Sequence, residues 1–136
     1  MNQHSVVITG IGPVSAIGSR KKPFWESLLN GRSGIGKITR FDSSLSDCKI
    51  AAEIKDENLR DLFPRTAARR KYPRSVELAI VAANLAIQDA GLDAFDSDRI
   101  GVFAGTSVAN LAETFIARDV LLKENRVRPD SSFHVF

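Results

Sequence analysis

Ser5-Val-Val-Ile-Thr-Gly-Ile-Gly-Pro-Val-Ser-Ala-Ile-Gly18 is the stretch around which the rest of this chain reads. Residues 5–9 are short, rich in β-branched side chains and stopped by glycine. That suits a central strand covered on both faces better than an alternating, half-exposed one. Gly10, Gly12 and Gly18 let the backbone turn sharply, and Pro13 fixes its own φ and offers no N–H, so regular structure must break there.

Residues 23–31 (Pro-Phe-Trp-Glu-Ser-Leu-Leu-Asn-Gly) predict a short helix. Pro23 suits its first position, Phe24 and Leu28 with Trp25 and Leu29 form its apolar stripe, and Gly31 suits a left-handed stop. Residues 31–36 read as a loop and residues 50–54 as a second strand of weak β character. Asp56 is placed to cap a brief helix through Leu59, Leu62 and Phe63, which Pro64 ends. Residues 75–90 predict the longest helix, apolar nearly all round, with only Glu77, Asn84 and Gln88 on its polar stripe. Such a helix demands burial on more than one side, and Gly91 ends it. Residues 99–105 repeat the opening pattern, a strand running into the small-residue turn Gly105-Thr106-Ser107. Asn110 and Glu113 then have the spacing of a capping box, ahead of a helix to about Glu124 with Leu111, Phe115, Ile116 and Val120 on its apolar face. The alternation of strands and helices implies an α/β protein with a largely parallel sheet, in which sites gather where strand ends meet helix starts.

Composition narrows the function classes. With 136 residues, 43% of them hydrophobic, the chain is long enough to bury a core and is read as one domain. No apolar run approaches the roughly 18 residues of a membrane span, no secretory pattern stands at the N-terminus, and the cytoplasm is the expected location. Cys48 is the single cysteine, and His4 and His134 stand near opposite ends, so no local metal motif exists. A net charge of +3 is too small to imply nucleic acid unless the charge clusters. It does so once, at Arg65, Arg69, Arg70, Lys71 and Arg74, which reads either as a solvated connector or as a docking patch for an acidic partner.

The chemical motifs are mostly negative. Gly10-Ile11-Gly12 follows a strand, but the third glycine of a dinucleotide fingerprint would stand at position 15, which is Ser15, and Pro13 removes an N–H from the phosphate cradle. Cys48 sits in a loop with no histidine nearby in sequence, which fits a passive thiol better than a nucleophile. Ser15, Thr106 and Ser107 lie in turns, none of them a G-x-S-x-G elbow. Taken alone, the chain shows no catalytic constellation.

The ordered motifs carry a resemblance. The opening stretch, then Phe24-Trp25-Glu26, Leu28-Leu29-Asn30-Gly31, Ser33-Gly34-Ile35-Gly36, Ile38-Thr39-Arg40-Phe41-Asp42 and Lys49-Ile50-Ala51 resemble the start of a β-ketoacyl-ACP synthase. Ala86-Ile87-Gln88-Asp89-Ala90-Gly91-Leu92, Arg99-Ile100-Gly101-Val102 and Gly105-Thr106-Ser107 continue it in order, so that it covers essentially the whole chain.

The resemblance implies an α/β, thiolase-like fold: layered helices on a mixed, largely parallel sheet, in proteins that pair as dimers, homodimeric or with a second ketosynthase chain. It implies that residues 1–136 form a partial N-terminal ketosynthase domain without the catalytic segment, inactive alone. The family's reaction is a decarboxylating Claisen condensation in fatty-acid or polyketide synthesis. Its nucleophilic cysteine and two histidines have no counterparts among these residues, and Cys48 matches a position without a catalytic role. No cofactor or metal is expected, because substrates arrive on the phosphopantetheine of acyl carrier protein.

By position, Val108 matches a residue lining the acyl-chain pocket, where β-branched bulk narrows it, and Phe133 falls in a segment reaching toward the partner's pocket. Arg70 and Lys71 match basic positions that meet the acidic carrier protein, with Arg69, Arg126 and Arg128 beside them. Two departures stand out. Gly105-Thr-Ser-Val-Ala-Asn110 replaces a more glycine-rich turn, and Tyr72-Pro73 replaces the usual Met-Asp. They leave open a divergent synthase or a non-condensing paralogue such as a chain-length factor, beside an unrelated basic α/β binding module.

Overall fold

A computed structural model of the chain describes residues 5–55, 59–64, 72–92, 96–107 and 111–126. After the opening stretch, β1 (Val14–Ser15) and β2 (Gly18–Ser19) pair antiparallel as a minimal hairpin, with Val14 opposite Ser19 and Ser15 opposite Gly18. The Ser15 hydroxyl closes the turn by donating to the Gly18 carbonyl at 2.9 Å. α1 (Lys21–Leu29) follows, β3 (Ile35–Lys37) and β4 (Ile50–Ala52) form a second antiparallel pair, and a 3-10 turn covers Leu59–Leu62. α2 (Arg74–Asp89), a 3-10 turn at Ser97–Arg99 and α3 (Leu111–Glu124) complete the order.

Both helix stops expected at glycine are built as such. Gly31 has φ 61° and Gly91 φ 65°, in the left-handed region. At the end of α1 the Arg32 N–H donates to the Ser27 carbonyl and the Gly31 N–H to Leu28; at the end of α2 the Leu92 and Gly91 N–H groups donate to Ile87 and Gln88. Each is a Schellman pair, satisfying carbonyls that the helix itself leaves without donors. The start of α1 is less comfortable. It begins two residues before Pro23, and its flanking residue Arg20 adopts φ 73°, ψ 152°, a conformation that suits glycine and costs a side-chain-bearing residue about 1–3 kcal/mol.

The core lies under α2. Val81 is fully buried and packs with Leu85 and Leu59, and Val14, Ile54, Leu62, Phe63 and Leu78 close around them. Asn84 donates to the Leu62 carbonyl at 2.6 Å and Arg74 to the Ile54 carbonyl at 3.3 Å, so polar groups of the same helix fix the chain that crosses it. Burial of α2 is nevertheless one-sided: Ala79 and Ala83 remain exposed, although its composition asks for cover all round.

Several expectations need correction. Residues 5–9 join no strand and are exposed, Val6 by 97%, because a strand of this kind is stable only with hydrogen-bonded neighbours and layers on both faces, and no described residue supplies them. The same reason applies to residues 99–105, where Phe103 is 99% exposed. The expected loop at residues 31–36 instead feeds β3, whose partner is β4. The apolar stripes of α1 and α3 are largely uncovered, with Trp25, Leu29, Phe115 and Ile116 exposed and Val120 buried. All strand pairs among the described residues are antiparallel. The Asp56 cap and the Asn110–Glu113 box lie outside the described residues and side chains.

Candidate functional site

The best-built feature is the seat of the opening turn on α2. Ala82, Ala86 and Ala90 recur every four residues and so share one face of the helix. Gly10 and Gly12 lie against that face: a Cβ at Gly10 would overlap the Ala86 carbonyl and the Ala90 N–H, and one at Gly12 would overlap the backbone of Ala82 and Ala86. The two glycines are there for close backbone approach rather than for a phosphate. Asp89, at the end of the same helix, accepts the Ile11 N–H at 3.1 Å and the Lys21 ammonium at 3.0 Å. The hydrogen bond from Lys21, then that from Ile11, hold the Asp89 carboxyl below its ordinary pKa. One side chain thus ties the turn and the start of α1 to α2.

A second carboxylate organises the β3–β4 pair. Glu53 is buried and accepts the Thr39 hydroxyl at 2.7 Å, the Thr39 N–H at 3.0 Å and the Arg40 N–H at 3.1 Å. These bonds, the Thr39 hydroxyl foremost, keep its pKa below the ordinary glutamate value. A carboxylate with a lowered folded-state pKa stabilises fully above its unfolded value, about 4.3, and that stabilisation is lost as pH falls through the lower folded value. Glu53→Gln in the native polypeptide should therefore lower the melting temperature at pH 7, with the loss shrinking as pH falls below the ordinary glutamate range, measured by circular dichroism. A loss that does not shrink on acidification would mean that the ionised carboxylate does not hold the pair together.

The residues singled out in the sequence are only partly placed. Arg126 is exposed and pairs with Glu124. Arg69, Arg70, Lys71 and Arg128, like Val108 and Phe133, lie outside the described residues. Cys48 is exposed, with its thiol 3.1 Å from the Ile50 carbonyl. No group of three potential metal ligands occurs among the described residues, and no described helix is long and apolar enough to cross a membrane. Nothing in the sequence alone marks Asp89 or Glu53 as an organising residue. For Asp89 the nearest signal is an acid at the end of a helix, where a carboxylate is unfavourable against the helix dipole unless cations and N–H groups offset it.

The helices and small sheets of the described residues are compatible with an α/β scaffold. The chain belongs to the β-ketoacyl synthase family, matching its N-terminal domain over residues 3–133. It is 42% identical over 132 residues to 3-oxoacyl-[acyl-carrier-protein] synthase 2 of Staphylococcus aureus strain N315, across 96% of this chain and 31% of that protein. The protein of the same name from Synechocystis sp. is 35% identical over 130 residues, across 94% of this chain and 31% of its own length. Among solved structures, the ishigamide ketosynthase/chain length factor superposes with a TM-score of 0.72 at 26% identity, covering 96% of this chain and 33% of that one. The chain therefore spans about a third of the length of the relatives it matches. The α/β, thiolase-like class expected from the sequence stands, and the reading as an unrelated binding module falls.

Proposed function

We propose that the chain is the N-terminal portion of a 3-oxoacyl-ACP synthase, which condenses an acyl thioester with malonyl-ACP in fatty-acid or polyketide synthesis. The observation that carries this reading is the 42% identity to a synthase 2, spread over 132 residues rather than confined to one motif. In the reaction a cysteine thiolate attacks the acyl thioester and expels the carrier's thiol. Malonyl-ACP then loses carbon dioxide, and the resulting carbanion attacks the enzyme-bound thioester, releasing 3-oxoacyl-ACP and regenerating the thiolate. The cysteine and the two histidines belong to the part of the synthase that follows Phe136, and Cys48 takes no part. Residues 1–136 contribute the frame, Val108 and Phe133 the acyl-pocket wall, and Arg69, Arg70, Lys71, Arg126 and Arg128 the carrier-protein contact, in a dimeric, cytoplasmic assembly.

A second reading, a catalytically silent partner, is favoured by the likeness to a ketosynthase/chain length factor. Purified native polypeptide, supplied with acyl-ACP and carboxyl-labelled malonyl-ACP, separates the two. Label released as carbon dioxide in step with 3-oxoacyl-ACP formation by the polypeptide alone supports the synthase, and release only after adding a second ketosynthase chain supports the silent partner. Absence of both, together with no binding of carrier protein, would overturn the proposal.

The docking assignment has its own test. Reversing Arg70 and Lys71 together to glutamate should weaken carrier-protein binding by roughly tenfold or more at low salt, with the difference shrinking as salt rises. Titration calorimetry at two salt concentrations measures this. Unchanged affinity at low salt would return the cluster to a solvated connector.

A further inference from the structure

We draw no further inference here: the strongest candidate, the exposed apolar surface patch at residues 5–9 leading into the turn seated on α2, has nothing among the described residues to show what covers it.

Discussion

Gly12→Ala should cost about 2–3 kcal/mol of stability, because the added methyl group meets backbone on two sides and neither can move without displacing α2. A clash with a flexible side chain could be relieved by a rotamer change, but here the groups in the way are the Ala82 carbonyl and the Ala86 N–H, both parts of the helix. Gly10→Ala should behave alike, since the Ala86 carbonyl and the Ala90 N–H stand in its way. Denaturant melts of the variants and of the unchanged native polypeptide measure the difference. An unchanged midpoint for Gly12→Ala would show that the turn is not seated on α2 as described.

The elements that could be read from the sequence are those whose causes are local. The stops at Gly31 and Gly91 follow from positive φ and a few backbone bonds, and α3 ends at Glu124 as its apolar spacing suggests. β3 was missed because little within Ile35–Lys37 favours a strand, Gly36 least of all. It exists through pairing with β4 and through Glu53, fourteen residues from Thr39. The tie between Ile11 and Asp89 spans 78 residues, and no periodicity reports a contact of that reach. Residues 5–9 and 99–105 mark the opposite limit. Their composition states the burial they require, but not whether the residues at hand can provide it. The candidate site divides similarly. The proposed docking and pocket residues rest only on resemblance to a family, because a basic run or a lone valine has no geometry of its own. The carboxylates that hold the frame act through tertiary contacts, which no local pattern reports.

The same exposed stretches lead to the other large effect: expressed alone, residues 1–136 should not melt as a cooperative monomer. Val6, Val7, Ile8, Val102 and Phe103 are between 72% and 99% exposed. Fully burying side chains of this kind is worth about 1.5–3 kcal/mol each, so together they withhold on the order of 10 kcal/mol. That equals the entire net stability of a typical domain, about 5–15 kcal/mol, and the buried core around Val81 is too small to offset it. Exposed β-branched stretches also present unpaired backbone to other chains, which favours association over folding. The isolated segment should bind a hydrophobic dye, elute ahead of a 14.9 kDa monomer on gel filtration and unfold over a broad temperature range. Polar replacements Val6→Thr and Phe103→Ser should reduce dye binding and association without sharpening the melt, because they remove the adhesive surface but add no core. A monodisperse monomer with one sharp, calorimetrically two-state transition would mean that these stretches find cover within the 136 residues, and the scaffold would then be a self-sufficient domain.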